Sequence, residues 1–265
     1  MKGGAIMIRK MMVALGQEPY EQVALEYACQ LSAAVKAHLV CTLFAEVPKG
    51  EDDDEQPQQR FAPVPIMNVT RATCAKYQLE PDIRIVSGRS PQDICERART
   101  VDILLLGIPE SIKTDGLKLV YDRLDSILLR TMKPTIVVHE HAQSIKKILV
   151  VHDGHPRGDR VVEVASEIGQ RAQVPLVCLA IGSTEPLANE VSQRMEEYLE
   201  FYPFPMEFPT QIGASVAGII ETAPQYGCDL IAIPASRHGK LYEIIFNSIT
   251  ESVVKLAQHA VLVVR

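Results

Sequence analysis

Lys10-Met11-Met12-Val13-Ala14-Leu15-Gly16 and Lys147-Ile148-Leu149-Val150-Val151-His152-Asp153 are one segment written twice, 137 residues apart. The offset persists downstream: Ala28 pairs with Ala165, Leu31 with Ile168, and Leu39-Val40-Cys41 with Leu176-Val177-Cys178. It then shortens to 125, where Gly88, Ile94 and Ala98 pair with Gly213, Ile219 and Ala223. Asp102-Ile103-Leu104-Leu105-Leu106-Gly107 answers Asp229-Leu230-Ile231-Ala232-Ile233-Pro234, and Pro134–Val138 answers Ala260–Val264. Elements of fixed length joined by loops of changing length give such drifting offsets, so the chain is a tandem repeat. The spacing divides it into units at 7–141 and 145–265, joined by the short polar stretch His139–Ser144.

Within each copy, short apolar runs alternate with helical patterns. Met11–Leu15, Leu39–Phe44, Ile83–Val86, Ile103–Leu106 and Thr135–Val138 lack polar alternation, as strands covered on both faces do. Val23, Tyr27, Leu31 and Ala34 form one helical stripe, echoed by Val164, Ile168 and Ala172. Ser90-Pro91-Gln92-Asp93 starts a helix: a capping hydroxyl, a proline in the first turn and an acid three residues on. Strands joined by helical crossovers predict an α/β fold with a parallel, doubly wound sheet, twice. Pro48–Pro65, carrying Glu51-Asp52-Asp53-Asp54-Glu55, reads as a solvated loop.

Composition narrows the function classes. The 265 residues are 47% hydrophobic and 23% charged, enough apolar material for a large core. A net charge of -6, no Trp, and only 6 Phe and 8 Tyr argue against nucleic acid as a partner. No uninterrupted apolar run approaches the roughly 18 residues of a membrane-crossing helix, and the N-terminus lacks a signal-peptide core. The expectation is therefore a cytoplasmic chain with no membrane insertion. Its six cysteines contain no CxxC pair and read as reduced, mostly buried thiols.

The second copy closes with Asp229-Leu-Ile-Ala-Ile-Pro-Ala-Ser-Arg-His-Gly239, Asn247-Ser248-Ile-Thr-Glu-Ser-Val-Val-Lys255 and His259-Ala-Val-Leu-Val-Val-Arg265. This order resembles the C-terminal signature of the universal stress proteins, and Lys147–Asp153 resembles their first strand with its terminal aspartate. The resemblance covers both copies, as in a tandem universal stress protein. It implies a five-stranded parallel sheet per copy, of the adenine-nucleotide alpha-hydrolase-like type, and packing of the copies about a pseudo-two-fold axis. Thr135–Val138 and Val261–Val264 are wholly apolar terminal strands that would aggregate if left bare, which places them at the seam between the copies. The resemblance implies that they pair antiparallel there.

ATP-binding members of that family carry a Gly-x2-Gly-x9-Gly-(Ser/Thr) loop after the fourth strand, where bare backbone and a helix start receive phosphates. In the second copy its positions fall on Pro234, Arg237 and Asn247-Ser248, with Gly239 displaced by two, so only the hydroxyl residue is kept. Asp153, Arg237, Gly239, Asn247 and Ser248 are the candidate ligand-binding residues, with a helix over 249–258 expected behind Ser248. An adenine nucleotide such as ATP or AMP, or another small anion, is the ligand to expect. The first copy has Gly16 in place of the aspartate, and Glu110 and Asp122 where phosphates would sit. Like charges in a cleft repel, so this copy is expected to bind no triphosphate.

No Ser elbow, Walker loop or GxGxxG is present, and His139, His141, His152 and His155 lack supporting ligands. They read as solvated loop histidines rather than a metal site. The resemblance implies a regulatory protein of the stress-response type that self-associates, and the absence of such machinery favours a non-enzymatic one. The alternatives are an enzyme acting on an adenine nucleotide, with His152, Asp153 and Ser248 as its nearest machinery, and a ligand-free module regulating a transporter or other partner.

Overall fold

The structure, a computed structural model, describes residues 7–45, 63–88, 90–109, 124–235 and 241–265. The first copy runs β1 (Lys10–Leu15), α1 (Pro19–Val35), β2 (His38–Ala45), α2 (Pro63–Lys76), β3 (Asp82–Ser87), α3 (Pro91–Ala98), β4 (Ile103–Ile108), α4 (124–130) and β5 (Thr135–His139). The second runs β6 (Ile148–His152), α5 (Pro156–Ala172), β7 (Leu176–Gly182), α6 (Glu185–Leu199), β8 (Met206–Glu207), β9 (Thr210–Ile212), α7 (Val216–Gln225), β10 (Leu230–Pro234), α8 (Leu241–Leu256) and β11 (Ala260–Val264). The residues read as strands are strands, but Ile83–Val86 is not covered on both faces as expected: β3 is the sheet edge, interrupted by Arg84 and with Ile85 exposed. Ser90 caps α3 as its sequence predicts: its Oγ accepts from Asp93 N at 3.2 Å, and Asp93 Oδ2 accepts from Ser90 N at 3.0 Å.

Both copies wind identically. The strand order is β3-β2-β1-β4-β5 in one and β8-β7-β6-β10-β11 in the other, with β9 also beside β7, so the third strand position of the second copy is split in two. Within each copy every pairing is parallel. The two sheets do not stand apart. β5 and β11 pair antiparallel in the register Thr135↔Val263, Ile136↔Leu262 and Val137↔Val261, joining them into one eleven-stranded sheet about a pseudo-two-fold centre. These two strands would otherwise be long apolar edges.

Helices cover both faces. α1, α2, α5 and α6 bury one set of residues against the sheet, among them Ala28, Leu31, Cys74, Ala165, Ile168 and Met195. α3, α4, α7 and α8 bury the other, including Ile94, Leu124, Ile219, Ile249 and Val253. The repeat extends to its polar fasteners. Asp102 Oδ2 accepts from the N–H groups of Arg9 and Lys10 at 2.9 and 3.0 Å, and Asp229 Oδ2 accepts from Lys146 N at 3.1 Å. Each aspartate thus ties the start of its fourth strand to the start of its first. Side chains also bridge the copies. Arg171 of α5 donates to the carbonyls of Ile8 and Lys36, Lys255 of α8 meets Asp125 of α4 at 3.2 Å, and Arg265 Nη1 donates to Thr131 O at 3.1 Å.

Three local expectations are corrected. α2 begins at Pro63, inside the stretch read as loop, because proline suits a first helical turn. α8 begins at Leu241 rather than behind Ser248, since nothing in Leu241–Phe246 breaks a helix. His139 and His152 are not solvated loop residues: they are the last residues of β5 and β6, 3% and 1% exposed. The acidic run at 51–55 lies outside the described residues. All six cysteines are free, five of them buried. Among the described residues no helix is long and apolar enough to cross a membrane.

Candidate functional site

In an open parallel sheet, ligands enter beyond the carboxyl ends of the strands, at the point where the strand order reverses. Here that point occurs twice, between β1 and β4 and between β6 and β10.

At the second point, β6 ends in His152 and the chain turns through Asp153 and Gly154 into α5. Gly154 takes φ +85°, a left-handed conformation that glycine adopts without steric cost. Asp153 is half-buried on this turn, and its Oδ1 accepts from His155 N at 3.2 Å, which fixes the carboxylate over the start of α5. Arg157 in the first turn of α5 reaches across to the carbonyl of Ala235, 3.3 Å away, just beyond β10. On the far side, Thr250 of α8 donates its hydroxyl to Pro234 O at 3.0 Å. The end of β10 is thereby held from both flanks.

His152 is the residue whose role the sequence misread. Gly154 N–H donates to Nδ1 at 2.9 Å, and Nε2 lies 2.9 Å from Asp159 Oδ1. With Nδ1 accepting, the proton sits on Nε2 and is directed at the carboxylate. Burial pushes the imidazole below its ordinary pKa, with Asp159 opposing. A neutral ring with both nitrogens engaged organises the β6–α5 turn and leaves no nitrogen to act as a general base on a ligand. Gly158 makes room for it, since a Cβ there would stand 2.6 Å from His152 Nδ1. A helical Gly→Ala change ordinarily stabilises by up to about 1 kcal/mol. Gly158→Ala is expected instead to destabilise by about 2 kcal/mol, the ring being unable to swing aside. A melting temperature at or above wild type would refute this packing.

Of the five residues singled out from sequence, Asp153 stands at this switch point. Asn247 and Ser248 fall in the second turn of α8, so their backbone lies inside the helix rather than at its anion-receptive first turn. Arg237 and Gly239 lie outside the described residues, as do Glu110 and Asp122 of the first copy. The residues that sequence reasoning passed over are Arg157, Gly158, Asp159 and Thr250. Only the Pro156-x-x-Asp159 helix start gave any signal of them.

The first switch point is built differently. Gly107 admits the close crossing of α1, as a Cβ there would meet Tyr20 O at 2.6 Å. The crevice above β1 and β4 holds only about 80 Å³, between Ala14, Phe44, Ile94, Leu106 and Leu124, with Glu21 as the only charged side chain among its described lining residues. Ligand sites for drug-sized molecules generally hold about 300–1,000 Å³.

An open α/β sheet, doubly wound twice and joined through its last strands, is the class that this architecture defines. Residues 208–265 match the model of the universal stress protein family. A universal stress protein of Synechocystis sp. is 24% identical over 144 residues, covering 54% of this chain and 50% of that protein, so the match spans half of the relative's length. A universal stress protein of Archaeoglobus fulgidus shares the fold over 98% of this chain and 99% of its own, with a TM-score of 0.74 at 13% identity. A functionally unknown protein of Pseudomonas aeruginosa PAO1 does so over 97% and 92%, with a TM-score of 0.67 at 14% identity.

Proposed function

We propose that the chain is a non-enzymatic, cytoplasmic regulatory protein of the stress-response type that binds an adenine nucleotide or another small anion in its second copy only. The observation carrying this reading is Asp153, a half-buried carboxylate fixed on the turn between β6 and α5, where the strand order reverses. A carboxylate there can accept from an adenine amine or a ribose hydroxyl, while Arg237, Gly239, Asn247 and Ser248 would serve the anionic end. The first copy offers Gly16 at the matching position, with no carboxylate to accept from a base or ribose. The engaged nitrogens of His152 weigh against the enzyme reading, because they take away its nearest base.

Calorimetric titration of ATP and AMP into the full chain tests this. Wild type is expected to show one saturable site per chain, with no nucleotide consumed over hours. Losing hydrogen bonds to a charged group costs about 1.5–3 kcal/mol, so Asp153→Ala should weaken binding roughly ten- to a hundredfold. Ser248→Ala should weaken it less. Absence of saturable binding by wild type would overturn the reading, and equal affinity of Asp153→Ala would overturn the assigned site.

A further inference from the structure

A second cavity lies in the first copy, beside the turn that follows β1. It holds about 410 Å³ between the first two turns of α1, the N-terminal half of α2 and the turn leaving β1. Its wall is mostly aliphatic, from Leu15, Leu25, Pro65, Ile66 and Val69. Gly16 contributes no side chain, although its counterpart in the second copy is Asp153.

Three observations indicate what this space accepts. The first is Thr70, which lines it: the hydroxyl is fully buried and has no hydrogen-bond partner, a condition that costs about 1–3 kcal/mol unless something supplies one. The second is charge. None of the described lining residues is cationic, and Glu21, 4% exposed, places a carboxylate at the wall with its Oε2 accepting from Glu18 N. Among the described residues an anionic ligand would meet this carboxylate and no counter-charge. The third is comparison with the second copy. There α6 closes against the equivalent turn: Val191 packs on Gly154, and Arg194 donates to Gly154 O at 3.1 Å. In the first copy the matching place, between Gln17 and α2, is this cavity, and Val69 at its rim keeps 41% of its surface exposed.

We propose that the α1–α2 cavity of the first copy is a binding site for a neutral, mainly apolar small molecule that hydrogen-bonds Thr70. Apolar burial between the two helices supplies the affinity, and the hydroxyl fixes orientation, as in ligand pockets generally. The two copies then bind different chemistries: an uncharged ligand between helices of the first, and an anion at the strand ends of the second.

The neutral dye N-phenyl-1-naphthylamine, an apolar body with one N–H group, is the probe. Titrated into the full chain, it is expected to brighten and saturate at one dye per chain. Excess ATP or AMP should leave this unchanged, which separates the cavity from the proposed nucleotide site. Val69→Trp fills the space from its exposed rim, and Gln22→Trp does so from the opposite wall. Each should weaken dye binding at least tenfold while the far-ultraviolet dichroism and melting temperature stay at wild-type values. Thr70→Val, which keeps the shape, should weaken it severalfold. No saturable brightening with wild type, displacement of the dye by ATP, or unchanged affinity in both tryptophan variants would overturn the proposal. Unchanged affinity in Thr70→Val would overturn the role of the hydroxyl.

Discussion

Val263→Lys is expected to unfold both copies together. Val263 is 4% exposed in β11, which pairs with β10 of its own copy on one side and with β5 of the other copy on the other. Its neighbours in register are Ile233 and Thr135, both buried. Losing the buried valine costs about 1.5–3 kcal/mol. Leaving an ammonium in the seam without a partner adds several more, since an uncompensated buried charge costs about 3–5 kcal/mol. The sum is comparable to the whole stability of an ordinary domain, about 5–15 kcal/mol. The damage should reach the first copy as well, because β5 would lose its antiparallel partner and α4 its bridge from Lys255. Urea unfolding followed by far-ultraviolet dichroism should therefore show one transition at a much lower midpoint, with most of the chain's structure lost in it. Two separate transitions, with the first copy melting as in wild type, would mean that the seam does not couple the copies. A shift worth less than about 1 kcal/mol would mean that the side chain escapes to water.

What the sequence made legible follows from which forces act locally. The strands and the seam could be placed because unbroken apolar runs such as Ile148–Val151 and Val261–Val264 have only one stable environment, covered on both faces. The β6–α5 turn could be placed but not understood. A histidine closing an apolar run is ambiguous until Gly154 N–H and Asp159 are seen to engage both its nitrogens. The same ambiguity put His139 on a loop, whereas β5 extends one residue further. α8 starts ahead of the place that the family motif implies, because Leu241–Phe246 is itself free of helix breakers. The α1–α2 cavity carries no sequence signature. It depends on how far α2 stands from the turn after β1, which is settled by packing between residues some fifty positions apart in the chain.

The buried histidine at the end of β5 should make the protein acid-sensitive, with a definite sign. His139 is 3% exposed and its Nε2 has no hydrogen-bond partner. Burial pushes its pKa down to about 4, nearby His259 lowers it further, and a hydrogen bond to the Val254 backbone opposes both. In the unfolded chain the imidazole takes a proton near its ordinary pKa of about 6.5. Between these two values the unfolded state binds more protons than the folded one, so stability is full above about pH 6.5 and falls as the pH drops toward about 4. One such group accounts for a loss of about 2 kcal/mol at pH 5 and about 3 kcal/mol at pH 4. His259 and His152 are lowered by burial too, so they act in the same direction. His139→Leu removes the titrating group and leaves a buried apolar side chain in its place. Comparing urea midpoints at pH 7.5 and pH 5 isolates its share, because the remaining carboxylates and histidines are common to both proteins. Wild type should lose about 2 kcal/mol more than His139→Leu over that interval. If the two proteins lose the same amount, His139 is protonated as readily when folded as when unfolded, and the end of β5 is open to water. If the variant loses more than wild type, the sign is reversed and the histidine is held in its charged form by a carboxylate.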